Sequence, residues 1–236
     1  MSYGYDVSIA ARASGSDRAA FVRRTYAHLA GAILAFIGIE ALLLNVLGND
    51  QQVQVLRMMR GYGWLVVMFA FMGASWLAQS WAQSGSSPGV QYLGLGLYVV
   101  AEAVIFLPLL IIASHFAGPS VIPTAGVLTL AVFGGLTLSV FVTKKDYSAL
   151  RPVLTVGSLI ALGVIVAGIL FGFNLGLFFS FAMVALMSGY ILYYTSQVLL
   201  NYRTDQHVAA ALALFAAVAT LFWYILQIVM SMSSRD

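Results

Sequence analysis

Hydrophobic residues are grouped along the chain in runs of roughly 20, the number of helical residues that crosses a hydrocarbon core about 30 Å thick. Seven runs stand out, at Tyr26–Leu47, Tyr62–Ala82, Val90–Ser114, Val121–Thr143, Leu150–Phe173, Gly176–Leu200 and Val208–Met230. Short polar or glycine-rich segments separate them: GND at 48–50, SGSSPG at 84–89, HFAGPS at 115–120, KKDYS at 144–148, GFNLG at 172–176 and NYRTDQH at 201–207. The pattern predicts an all-α integral membrane protein with seven transmembrane helices, neighbours in sequence packing antiparallel because the connections are short. Only Gly172, Asn174 and Gly176 part the fifth run from the sixth. A single helix of about 50 residues is far too long for a bilayer, so the break is expected there. Residues 1–20 lack the apolar core of a signal peptide and are rich in Ser, Gly, Ala and single charges. They predict a mobile cytoplasmic arm ahead of a seven-helix domain over 21–236.

Composition agrees with this reading. Of 236 residues, 61% are hydrophobic and 8% charged, and the mean hydropathy is +0.95. That is more apolar surface than a soluble domain buries. The chain has no cysteine, which excludes disulfides and thiolate metal sites and leaves carboxylates, three histidines, hydroxyls and backbone to carry any chemistry. The 11 Lys and Arg are scattered through the connections, where topology alone would place them, so no nucleic-acid partner is expected. Arg12, Arg18, Arg23, Arg24, Lys144, Lys145, Arg151 and Arg203 share one side, against Arg57, Arg60 and Arg235 on the other. The positive-inside bias therefore puts the N-terminus in the cytoplasm and, with seven spans, the C-terminus outside. The expected location is a bacterial inner membrane.

Two acids interrupt the apolar runs, Glu40 in the first and Glu102 in the third. A charge at mid-bilayer costs roughly 3 kcal/mol on insertion scales, so each acid is a functional candidate with a partner to be found. Both helices run outward under the topology above, which predicts neighbouring depths. Two carboxyls facing one interior would share a single proton and form an ion-binding or proton-sensing pair, since hard divalent cations take oxygen ligands. The alternative is a protonated, hydrogen-bonded glutamate that serves packing only, with Tyr98 as one available hydroxyl. Pro108 adds a carbonyl freed at Val104, close to Glu102.

Asp146 in KKDYS is either a solvated turn residue neutralised by Lys144 and Lys145 or part of a cytoplasmic lid over a pore. Thr129, Thr137, Thr195 and Thr220 form a possible polar seam, although threonine also satisfies itself on the carbonyl one turn back. His28, His115 and His207 fall near helix ends, where histidine meets water. Gly31, Ala35, Gly163, Ala167, Gly168 and Gly172 recur at intervals that let helices approach closely. No histidine lies mid-span and no His/Glu metal spacing occurs, so neither an enzyme nor a cofactor is expected.

Several segments resemble the Bax inhibitor-1 family along the length of the chain: FVRRTYAHLAG at 21–31, TLAVFGGLTLSVFVTKKDYSAL at 129–150, SGYILYYTSQVL at 188–199 and ALALFAAVATLFWYILQI at 211–228. The resemblance implies a seven-helix bundle with the last helix surrounded by the other six. It also implies a pH-sensitive calcium leak closed by acids on the sixth and seventh spans and a basic residue on the second. Here those acid positions carry Tyr194 and Ala217, and the second span has no Lys, Arg or His. The familiar latch is therefore expected to be absent, with Tyr194, Thr195, Thr220 and Asp146 left as gate or pore-lining candidates. Two functions follow. One is a cation leak or proton-coupled transporter for calcium or protons, using Glu40 and Glu102. The other is a non-conducting regulator that binds a membrane protease or a stress or cell-death component.

Overall fold

The computed structural model describes residues 9–58, 62–83 and 87–233. Eight α-helices occur among them: α1 (Gly15–Val46), α2 (Asn49–Met58), α3 (Tyr62–Gln83), α4 (Pro88–Phe116), α5 (Val121–Thr143), α6 (Arg151–Phe171), α7 (Gly176–Leu200) and α8 (His207–Ser233), with a 3-10 turn at Ser148–Leu150. All but α2 are long and apolar enough to span a bilayer, giving the seven spans read from the sequence.

Local chemistry explains the boundaries. Ser14 caps α1 by accepting from the Asp17 amide at 3.1 Å, and Asp17 itself sits where the helix dipole favours a negative charge. Pro88 occupies the first turn of α4, where its missing amide costs nothing. The expected break between the fifth and sixth runs is present. Gly172 ends α6 at φ 72° and Gly176 opens α7 at φ 70°, left-handed values at which glycine carries no Cβ penalty.

Two features differ from the sequence reading. GND begins a further helix, α2. Its Gln52 is buried and its Nε2 donates to the Leu47 carbonyl at 2.9 Å and the Leu44 carbonyl at 3.3 Å, covering two acceptors left over at the end of α1. At the other end, α1 starts at Gly15, inside the segment assigned to the arm. Ala10 is fully buried, and its amide donates to the Tyr202 carbonyl at 2.8 Å while Ile9 bridges to Arg203. Residues 1–8 lie outside the described residues.

The helices differ sharply in burial. In its most apolar window α8 is 72% buried and α4 56%, while each of the other five spans is at 22% or below. The two are the interior elements, and the rest turn apolar faces to lipid, where no hydrophobic force opposes exposure. Helix α8 packs against α1, α3, α4, α5 and α7, whereas α6 rests on α7 and α3. Five helices, rather than the expected six, thus make the main contacts with α8. Helices α6 and α7 interlock through leucines over glycines: a methyl group at Gly157 would sit 2.9 Å from Leu186 Cδ1, and one at Gly189 2.8 Å from Leu154 Cδ2.

Arg12, Arg18, Arg23, Arg24, Lys144, Lys145, Arg151 and Arg203 gather at one end of the bundle, and Arg57 lies at the other. Arg60 and Arg235 fall outside the described residues.

Candidate functional site

Glu102 is 3% exposed and stands 14 residues from either end of α4, about 21 Å at the helical rise, so it lies at mid-depth. Its surroundings are polar on one side. Tyr98, one turn earlier on the same face, brings its hydroxyl within hydrogen-bonding reach of the Glu102 carboxyl and beside Ser75 of α3. Phe71 and Phe215 pin the phenol ring, each at a centroid distance of 6.1 Å.

Above this pair a cavity of about 630 Å³ opens between α3, α4, α6, α7 and α8. Its lining runs from Tyr98, Glu102 and Thr220 up past Tyr224 and Gln227 to Asn174 and Gly176, in the turn between α6 and α7. The cavity therefore reaches the end of the bundle opposite the basic cluster. Thr220 donates to the Ala216 carbonyl at 2.9 Å, which leaves its oxygen free to accept from the cavity. Ser180 donates to Gln227 Oε1 at 3.1 Å and fixes that amide. A mid-membrane carboxyl, two phenols, a hydroxyl and two amides thus share one recess.

Below Glu102 the phenols continue. Tyr194 is close enough to Tyr98 for an electrostatic interaction, and its ring packs on Tyr190 at 5.5 Å and on Tyr193 at 5.2 Å. Tyr190 in turn shares a hydrogen bond of 2.9 Å with Ser158. Tyr202, in the loop after α7, is pushed up to about 12 by burial and by Tyr193, so it remains a neutral donor at physiological pH. The rings of Tyr98, Tyr194, Tyr190 and Tyr193 thus form a continuous series beneath Glu102.

Glu40 is also 3% exposed, but it belongs elsewhere. It faces a separate cavity of about 350 Å³ lined by α1, α4, α5 and α8, whose α4 member is Leu110. Leu110 lies eight residues beyond Glu102, about 12 Å along the helix. The expected pairing of the two acids at neighbouring depth is therefore corrected. Phe106 forms the partition: it packs edge-on against Phe36 at 5.1 Å on the Glu40 side and against Trp223 at 4.9 Å on the Glu102 side. The period of α8 explains the split. Phe215, Ala219 and Phe222 line one cavity and Thr220, Tyr224 and Gln227 the other, and five residues of helix turn through about 140°.

The remaining candidates scatter. Asp146 is exposed; its Oδ1 accepts from the Ser148 amide at 2.8 Å, and the Ser148 hydroxyl first and this amide second hold its carboxyl below the usual range. No ion pair joins it to Lys144 or Lys145 among the described residues, and Lys145 Nζ instead sits 5.8 Å above the Tyr147 ring. The turn residue is what the geometry supports. Thr195 is fully buried in a group of hydroxyls with Tyr26 and Thr137, none of them with a well-formed hydrogen-bond partner among the described residues. Gly31 and Gly163 meet no neighbour within 4 Å, whereas a methyl group at Gly168 would sit 3.3 Å from both the Phe173 carbonyl oxygen and Leu175 Cδ2. The sequence also concealed a histidine pair: His28 and His207 lie 5.0 Å apart, with Tyr92 stacked on His28 at 5.3 Å. No three His, Asp or Glu side chains among the described residues are grouped to hold a metal.

The family described as Inhibitor of apoptosis-promoting Bax1 matches residues 18–235. The chain is similar to an uncharacterized protein of Neisseria meningitidis serogroup A, 30% identical over 186 residues that cover 75% of this chain and 77% of that protein. It is similar to an uncharacterized protein of Helicobacter pylori, 30% identical over 230 residues covering 94% and 90%. An uncharacterized membrane protein of Vibrio cholerae is 31% identical over 120 residues, 50% of this chain and 53% of that one. With seven spans in place and a match that runs from the first helix to the last, the chain belongs to the Bax inhibitor family.

Proposed function

We propose that the protein is a cation leak in which Glu102 binds a proton or a calcium ion at the floor of the α3–α4–α6–α7–α8 cavity. One observation carries the reading: a carboxyl at mid-membrane depth closes a recess of about 630 Å³ that reaches the bundle end through Gln227 and Asn174. An intramembrane acid facing a polar cavity is the usual mark of an ion or proton pathway. A single carboxylate is a thin ligand set for calcium, which takes 6–8 oxygens. The ion would therefore be held weakly, with water and the neighbouring hydroxyls completing its shell, as a leak requires. The positive-inside bias supports a cytoplasmic position for the basic cluster in a bacterial inner membrane, and in that orientation the cavity faces outward. Tyr98 and Tyr194 close the inner half.

The test is calcium and proton flux into proteoliposomes containing this chain alone, for wild type and Glu102→Gln. The expected result is flux that depends on pH between 5 and 8 in wild type and loses that dependence in the variant. Equal flux and equal pH profiles would dismiss Glu102 as the site.

A second reading is favoured by Tyr194 and Ala217, which stand where the family latch has acids: a non-conducting regulator that binds a membrane protease or a stress or cell-death component. Absence of flux at every pH, with the protein folded, would decide for it.

A further inference from the structure

The cleft that holds Glu40 has a different chemistry. At the basic end of the bundle α1 and α5 touch through Tyr26 and Phe141, whose rings pack edge-on at 5.7 Å. Toward the other end both helices stay on α8 but separate, and the 350 Å³ cavity opens between them. Its walls are Ile33, Phe36, Ile122, Leu130 and Phe222 with one ionisable side chain, Glu40. Thr129 donates its hydroxyl to the Ala125 carbonyl at 2.7 Å, which leaves only its oxygen to accept, a second acceptor beside Glu40 in the cleft lining. Both Glu40 oxygens are buried and have no hydrogen-bond partner among the described residues.

An apolar recess of this size with one ionisable group is the form of a small-ligand site. Leaving a buried carboxyl without a partner is costly, and a donor supplied by a ligand removes that cost. We propose that this cleft binds a single-chain lipophilic amine from the membrane, its alkyl chain between α1 and α5 and its primary amino group on Glu40. Charge selects the class. Among the described residues no Lys, Arg or His lines the cleft, so a fatty acid or the phosphate of a phospholipid would lie unpaired against a carboxyl. An amine and a carboxyl form a neutral pair whichever of them carries the proton. Volume selects the length: 350 Å³ is room for about a dozen heavy atoms at the share of one water each. Depth agrees, since Glu40 is six residues from the end of α1, about 9 Å in from the helix end. A single-chain amphiphile reaches that depth without pulling a phosphate with it.

The experiment places the full chain in phosphatidylcholine nanodiscs with a diazirine-bearing dodecylamine, and maps the labelled peptides. Labelling on α1 and α5 is expected, displaced by dodecylamine at least 10-fold more effectively than by dodecanol or dodecanoate. Glu40→Gln should weaken dodecylamine binding at least 10-fold. Gly126→Leu should abolish labelling with Glu40 intact, because Gly126 lines the cleft with open space beside its Cα; this second variant serves if the first fails to fold. Equal displacement by the alcohol, unchanged binding in Glu40→Gln, or displacement by phosphatidylethanolamine as effective as by dodecylamine overturns the proposal. A crosslink from the cleft to a second copy of the chain overturns it as well.

Discussion

Leu110, not Glu102, is the residue of α4 that shares a cavity with Glu40. The two buried acids therefore face different cavities, divided by Phe106 and its aromatic neighbours. Sites without a shared partner combine additively to within about 0.3–0.5 kcal/mol. A thermal-unfolding cycle on Glu40→Gln, Glu102→Gln and the double variant is expected to give a coupling no larger than that. A coupling above about 1 kcal/mol would mean that the acids do sense one another across the partition.

Close helix approach is concentrated at Gly94. A methyl group there would meet the Ala78 carbonyl oxygen at 2.6 Å and the Ala82 amide at 2.9 Å. Both are backbone atoms and cannot swing aside. Gly94→Ala is expected to destabilise the α3–α4 pair by about 1–3 kcal/mol, the usual cost of overpacking. Gly31→Ala, where nothing lies within 4 Å, should be neutral or slightly stabilising through helix propensity. Thermal melts in one detergent compare the two. The reverse order would show that α3 and α4 adjust freely.

The fold was more legible than the site. Runs of about 20 apolar residues report span number directly, because lipid forces each to be a closed hydrogen-bonded helix. What they do not report is rotation. A soluble helix marks its buried stripe with hydrophobic residues, but in α4 or α8 nearly every position is apolar, so nothing along the sequence says which way Glu102 points. Glu40 and Glu102 were correctly singled out as buried acids, yet their assignment to one interior required rotations the sequence does not encode. His28 and His207 were missed as a pair for the same reason, lying 179 positions apart in sequence but 5.0 Å apart in space. Helix α2 was missed because its signal is Gln52 reaching back to α1, a capping contact rather than an apolar run.

Asp146 stabilises its turn through its carbonyl-like acceptance of the Ser148 amide, not through charge pairing. Asp146→Asn keeps that acceptor and is expected to change stability by less than about 0.5 kcal/mol, whereas Asp146→Ala removes it and should cost more. The pH dependence has a definite sign. A carboxyl held low in the folded state contributes stability above its unfolded pKa, near 3.9, and loses it as pH falls through the lower folded value. The difference between wild type and Asp146→Asn should therefore be flat from pH 5 to 8 and change only below about pH 4. A change centred near neutrality would point to a role in gating.

Thr195 offers the clearest sign test of the hydroxyl group at the basic end. Its side chain is fully buried, and its Oγ1, like Tyr26 Oη and Thr137 Oγ1, has no well-formed partner among the described residues. A buried hydroxyl left so costs about 1–3 kcal/mol, and replacing it with an apolar group of the same shape removes that cost without opening a cavity. Thr195→Val is therefore expected to melt at the same temperature as wild type or a few degrees higher, since about 1 kcal/mol corresponds to roughly 2–4 °C at this chain length. Thr195→Ala deletes a methyl group as well and should melt lower. If valine proves as destabilising as alanine, the hydroxyl bonds Tyr26 and Thr137 strongly, and the three helices α1, α5 and α7 are tied there by a polar network rather than by packing.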